Sequence, residues 1–201
     1  RVINELNPHL NSFITIDTKG ALEQAKKLDD LRNKKENLGP LSGAILGIKD
    51  SIPTKNLKTT NNSRLLRDWN PKNDASVVSR LRQAGAIIIG KTNLNEFGWS
   101  RPSELDLKPP PWSPWNPNHM SVGSSSGSGA AASARMVSAS IGTDGGGSVR
   151  LPAGAHNLYG IKPTHGLVSR LGMDHNGHSE ISPLCRTALD LAILLESMSG
   201  F

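Results

Sequence analysis

The 201-residue chain has a single cysteine, Cys185. An internal disulfide is therefore excluded, and a reducing compartment such as the cytoplasm is the expected setting. Long apolar runs are also lacking: none approaches the ~20 residues a membrane-spanning helix needs. The opening Arg1-Val2-Ile3-Asn4-Glu5-Leu6 does not have the pattern of a signal peptide. Aromatic residues make up only 4% of the chain, and acidic residues (17) are outnumbered by Lys and Arg (23), for a net charge of +6. The excess lies in residues 1–100, which hold 16 basic and 10 acidic side chains; residues 101–201 hold 7 of each. A nucleic-acid face joins basic groups to aromatics that stack bases. Here Lys26-Lys27 and Lys34-Lys35 are interleaved with Asp29, Asp30 and Glu36, the pattern of a solvated helix, so no direct nucleic-acid partner is expected. Neither an internal repeat nor a clear domain boundary is visible.

What is present reads as alternating helices and strands. Phe13-Ile14-Thr15-Ile16 is β-branched and apolar, a short strand. Thr18 is the expected cap of a following helix with a stripe of Ala21, Ala25, Leu28 and Leu31 at three- and four-residue spacing. Ala44–Ile48 reads as a strand with Lys49 at its C-terminal end. Asp74 is the expected cap of a helix carrying Val77, Val78 and Leu81, with Gly85 ending it. Ala86–Gly90 then reads as a strand buried on both faces. From Pro102 to Pro117 the chain is rich in Pro and Trp, and Pro109-Pro110-Pro111 forbids helix or interior strand, so a long surface connection is expected. Ala130–Met136 suits a closely packed helix, Ser138–Gly142 a strand, Asn176-Gly177 a turn, and Thr187–Met198 a helix with Leu191, Leu194, Leu195 and Met198 inward. Helix followed by apolar strand argues for an α/β layered fold.

Two glycine runs stand out. Gly123-Ser124-Ser125-Ser126-Gly127-Ser128-Gly129 has the composition of a flexible linker, but an alanine-rich helix follows at once, so linker and functional loop both remain open. Gly145-Gly146-Gly147 precedes Ser148. Three glycines lose much backbone entropy on folding. The compensation is either a tight turn or bare N–H groups that hold a developing oxyanion beside an attacking serine. Neither run is a phosphate cradle. Gly85–Thr92 matches the P-loop pattern formally, but its middle is the apolar strand itself, and the triple glycine lacks the spacing of a dinucleotide fingerprint.

A serine nucleophile needs a base. The histidines are His9, His119, His156, His165, His175 and His178, and no Gly-x-Ser-x-Gly elbow surrounds Ser148. Lysine is the other candidate: burial without a paired carboxylate disfavours the ammonium and makes the amine basic. Lys49, just after an apolar strand, suits that role, but it equally suits a lysine reaching solvent or pairing with Asp50.

Taken together, Gly47-Ile48-Lys49-Asp50, Gly123–Ser128 and Gly142–Ala153 resemble the amidase signature family. Gly90-Lys91-Thr92-Asn93 and Gly160-Ile161-Lys162-Pro163-Thr164 look like further blocks of it. Order and spacing carry the likeness: Ser124 lies 75 residues after Lys49 and Ser148 another 24 on. The resemblance implies α/β/α layers around a mixed, mainly parallel sheet. It also implies hydrolysis of a linear amide through an acyl-enzyme: Ser148 as nucleophile, Ser124 (after a cis peptide bond) as proton relay and Lys49 as base. Gly145, Gly146, Gly147 and Ser148 would supply oxyanion N–H groups, and Ser125, Asp144 and Arg150 would support the triad by hydrogen bonding. No metal or organic cofactor is implied. A small-molecule amide is the expected partner. The alternatives are the glutaminase subunit of a tRNA-dependent amidotransferase and a non-catalytic remnant.

The chain departs from the family pattern in places. Ser126 stands where relatives usually have glycine, and Ala155-His156-Asn157 replaces Phe-Cys-Gly; His156 reads as a packed core histidine. Family domains are more than twice as long. Residues 1–201 are thus expected to form one truncated amidase signature domain, incomplete on its C-terminal side. Such a domain would pair with the missing part or with a second copy.

Overall fold

The computed structural model of the chain describes residues 1–99, 101–103, 106–173 and 178–200; the Asn176-Gly177 turn and His175 lie outside them. Among the described residues six strands form one sheet in the order β1-β3-β2-β4-β6-β5. They are β1 (Phe13–Ile16), β2 (Ile45–Lys49), β3 (Ile87–Thr92), β4 (Ala139–Asp144), β5 (Tyr159–Gly160) and β6 (Glu180–Cys185). β2 pairs parallel with both β3 and β4, whereas β1–β3, β4–β6 and β5–β6 are antiparallel. Four strands, β2 to β5, therefore run one way and β1 and β6 the other, which is the mixed, mainly parallel sheet expected.

The helices are α1 (Val2–Leu10), α2 (Thr18–Asn33), α3 (Ser76–Gln83), α4 (Ser126–Ser133), α5 (Arg150–Ala155) and α6 (Ala188–Met198). Alternation along β2 decides what each face meets. Leu46 and Ile48, fully buried, join Val77, Val78 and Leu81 of α3 and Leu194 and Met198 of α6 in the larger core. Gly47 and Lys49 point to the other face, where α4 lies. That approach needs small residues: Ser126 to Ala132 are all buried. A side chain at Gly127 would meet Ser12 O at 2.4 Å and Asn93 N at 2.5 Å. The Gly123–Gly129 run is thus no linker, because its second half is the first turn of α4.

Two capping expectations are corrected. Asp17, not Thr18, caps α2, its Oδ1 accepting from Gly20 N–H at 2.9 Å; the carboxylate one residue earlier reaches the free N–H. Only Ala21 of the α2 stripe is fully buried. Asp74 does not cap α3, whose N-cap is Ala75 with no side-chain bond. It accepts instead from Lys55 N–H at 2.7 Å and pairs with Arg82 Nε at 3.1 Å. The described part of 102–117 contains no helix or strand. It is not all surface, since Asp106 and Ser113 are buried and Pro109 O accepts from Asn93 Nδ2 at 2.9 Å. Among the described residues no helix is long and apolar enough to cross a membrane.

Candidate active site

The carboxyl ends of the parallel strands converge on one cavity, the place where open α/β sheets usually bind ligands. Its lining is Lys49 and Ser51 from the end of β2, Phe97, Gly98 and Trp99 from the loop after β3, and Thr143, Gly145, Gly146 and Ser148 from β4 and the turn beyond. Ser124 and Ser179 complete it, around about 170 Å³. The sequence-predicted Lys49, Ser124, Ser148, Gly145 and Gly146 are therefore brought together.

Lys49 is 1% exposed. Its Nζ donates to Ser124 Oγ at 2.7 Å and to Thr143 Oγ1 at 2.8 Å. It neither reaches solvent nor pairs with Asp50, which faces Lys91 instead: Lys91 Nζ lies 3.7 Å from Asp50 Oδ1 and donates to Ile52 O at 2.6 Å and Thr59 Oγ1 at 2.7 Å. The two buried lysines differ in company. Lys91 has a carboxylate; Lys49 has two hydroxyls. Burial pulls Lys49 down from 10.5 to about 7, with the charge of Asp144 opposing to a lesser extent. Thr143, which sequence reasoning did not single out, accepts from the amine and so fixes its direction. Its signal was its place in the Gly142–Pro152 run, two residues before the triple glycine.

The peptide between Gly123 and Ser124 is cis, as the resemblance implies. Ser125 ties this bend to β4: its Oγ accepts from Thr143 N–H and donates to Thr143 O, both at 3.3 Å, and its N–H donates to Ser148 O at 3.2 Å. A side chain at Gly142 would come within 2.7 Å of Ser125 Oγ, so the close contact requires glycine there.

Asp144 shapes the glycine turn. Oδ1 accepts from Gly147 N–H at 2.7 Å, and Oδ2 from Val149 N–H and Arg150 N–H, each at 3.1 Å. Arg150 grips both oxygens, Nε to Oδ2 and Nη2 to Oδ1, each at 3.0 Å. Burial alone would raise the Asp144 pKa, but the Arg150 side chain and the three backbone donors together outweigh it and hold it at about 2. The N–H of Gly147 is thus committed to Asp144, and among the described residues the N–H groups of Gly145, Gly146 and Ser148 have no acceptor. Gly147 has φ 121°, a backbone conformation that favours glycine.

His156 stands apart from this cavity. It is 1% exposed, with Nε2 2.6 Å from Ser121 Oγ, and its carbonyl accepts from Trp115 Nε1 at 3.1 Å and Ser133 Oγ at 3.0 Å. It is a packed histidine that joins the Pro/Trp-rich connection to α4 and α5. Among the described residues no three His, Cys, Asp or Glu side chains cluster as a metal site would.

Fold and site together define an α/β protein with a buried lysine and two serines meeting at the carboxyl edge of its central strands. The chain belongs to the amidase family, whose model, described as Amidase, matches residues 1–201. It is 46% identical over 201 residues to a subunit of glutamyl-tRNA(Gln) amidotransferase from Azotobacter vinelandii, covering 99% of this chain and 41% of that protein. The solved structure of native peptide amidase from Stenotrophomonas maltophilia is 33% identical, with a TM-score of 0.90 over 99% of this chain and 42% of that one. The solved glutamyl-tRNA(Gln) amidotransferase subunit from Thermotoga maritima is 36% identical, with a TM-score of 0.84 over 100% of this chain and 42% of that one. The chain therefore spans about two fifths of the length of these relatives.

Proposed function

We propose that this chain carries the reacting groups of an amide hydrolase in which Ser148 is the nucleophile, Ser124 the proton relay and Lys49 the base. The observation that carries this reading is the Lys49 amine: buried, held at 2.7 Å from Ser124 Oγ and 2.8 Å from Thr143 Oγ1, and drawn down to about 7. Once neutral, the amine keeps its donor bond to Thr143 and takes the Ser124 proton on its lone pair. Ser124 in turn takes the proton of Ser148 as that oxygen attacks the amide carbon. The N–H groups of Gly145, Gly146 and Ser148 receive the oxyanion, and Gly147 holds the turn through Asp144. The proton returns through Ser124 to the leaving nitrogen, and water releases the acyl group from Ser148. No step calls for a metal or cofactor.

A fluorophosphonate serine probe tests this. It should label the wild type on Ser148 and leave Ser148→Ala unlabelled; labelling that persists in Ser148→Ala, or none in the wild type, would remove the serine from its role. A second reading has a specific support, the 46% identity to a subunit of an amidotransferase. On that reading the same groups release ammonia from glutamine for partner subunits. Co-purification with such partners, and glutamine consumption that rises when charged tRNA is added, would favour it over a free-standing amidase.

A further inference from the structure

The lining that comes from the loop after β3 is aromatic: Phe97, Gly98 and Trp99. Phe97 is 40% exposed and Trp99 75%. Phe97 has φ 51° and ψ 12°, the left-handed region that few non-glycine residues occupy. The conformation is held by backbone bonds, Phe97 N–H to Asn61 O at 3.0 Å and Gly98 N–H to Asn95 O at 2.8 Å. Asn61 N–H donates in turn to Asp50 O at 3.1 Å, so the loop hangs from the segment that follows Lys49. Gly98 has φ 76°, and a side chain there would come within 3.3 Å of Ser124 Oγ. The loop backbone therefore runs past the relay hydroxyl.

That position has a chemical consequence. Ser124 hands its proton to the leaving nitrogen, so that nitrogen must come within hydrogen-bond reach of Ser124 Oγ. The Phe97-Gly98-Trp99 stretch is then the wall beside that nitrogen, within reach of what it carries. Apart from Lys49, the described lining has no charged side chain, so the loop offers a substituent two aromatic side chains. Rings meet such faces in offset or edge-on contact. We propose that Phe97 and Trp99 form a subsite for an aromatic ring on the leaving amine, making N-aryl amides the substrate class; this rests on the hydrolase reading above. The bond from Ser148 Oγ to the acyl carbon forms first, placing the negative charge on the carbonyl oxygen, and the bond to nitrogen breaks as that oxyanion collapses. The Ser148 proton, carried through Ser124, ends on the arylamine. Water then splits the acyl-enzyme into a carboxylic acid and free Ser148.

Binding to Ser148→Ala, which cannot turn substrate over, tests the subsite without relying on activity. Acetanilide and acetamide would be titrated by ligand-observed NMR against Ser148→Ala, and against the same protein carrying Trp99→Ala or Trp99→Phe. Because Trp99 is 75% exposed, its replacement removes little packing. Acetanilide should bind about fivefold or more tighter than acetamide. Trp99→Ala should remove most of that preference and Trp99→Phe keep part of it. Equal binding of the two amides, or a preference that survives Trp99→Ala, overturns the proposal. Fluorophosphonate labelling separates the two claims. Labelling of Ser148 with no anilide preference sinks the subsite and leaves the hydrolase standing. A Trp99-dependent preference in a protein that takes no label sinks the hydrolase and leaves the ring site.

Discussion

Replacing Lys49 by methionine should make the folded protein more stable at neutral pH while removing its reactivity. In the unfolded chain Lys49 holds its proton up to 10.5; in the fold it gives it up at about 7. Below pH 7 both states carry the proton, and the fold bears the whole cost of a buried ammonium. From 10.5 to about 7, at about 1.4 kcal/mol for each pH unit, that cost is about 5 kcal/mol. Methionine removes it but forfeits the bonds to Ser124 and Thr143, about 1 kcal/mol each. The net expectation at pH 6 is a variant about 3 kcal/mol more stable than the wild type. Between pH 7 and 10.5 the unfolded state binds more protons than the folded one, so wild-type stability rises with pH relative to the variant. It gains about 3 kcal/mol between pH 7 and 9, where the two should converge. Urea titrations of both proteins at pH 6, 7, 8 and 9 read this directly. A variant less stable than the wild type at pH 6, or a gap that does not change with pH, would refute the reasoning.

Other perturbations have equally definite outcomes. Thr143→Val removes an acceptor that favours the ammonium, so the rising limb of the pH–rate profile should move below pH 7 and the maximal rate should fall about tenfold as the amine loses its guide; a limb that stays in place or moves up contradicts this role. Ser124→Ala should lower the rate of serine-probe labelling by about 10²–10⁴-fold while leaving the protein folded by circular dichroism; near-normal labelling would show that Lys49 needs no relay. Asp144→Asn should cost about 2 kcal/mol at pH 7, the scale of charge-assisted bonds to a half-exposed Arg150. Because the wild-type carboxylate titrates at about 2 in the fold, its stabilisation is present above the ordinary carboxylate pKa and fades as pH falls toward 2, so the gap should close in acid. Gly127→Ala should destabilise by at least about 3 kcal/mol, since its methyl would strike backbone of Ser12 and Asn93; a neutral effect in thermal melts would mean that the run behaves as a linker after all.

The strands legible in the sequence were those with a continuous apolar signal. β2 and β3 lie within one or two residues of expectation because Ala44–Ile48 and Ala86–Gly90 have no polar alternation. β6 escaped notice because Pro183 sits in its middle and has no N–H to give. It is nonetheless an interior strand between β4 and β5. α5 hid behind Pro152 and Gly154, and α1 behind Pro8. In the site, Lys49, Ser124 and Ser148 were legible through motif order, which carries residue identity but not distance. The partner of Asp50 was not, because Lys91 lies 41 positions away and meets it only through strand pairing. The commitment of Gly147 N–H to Asp144 was equally hidden. It depends on the side-chain direction of Asp144, and a run of three glycines reads the same whichever N–H is taken.

The most direct measurement is an NMR titration of the Lys49 side chain, following its ¹³Cε shift in selectively labelled protein with Lys49→Arg to assign the signal. An amine that loses its proton with a midpoint near pH 7 is what its burial between two hydroxyls predicts. A midpoint at the ordinary lysine value of ~10.4 would mean that the group stays an ammonium at neutral pH and has no lone pair to offer Ser124.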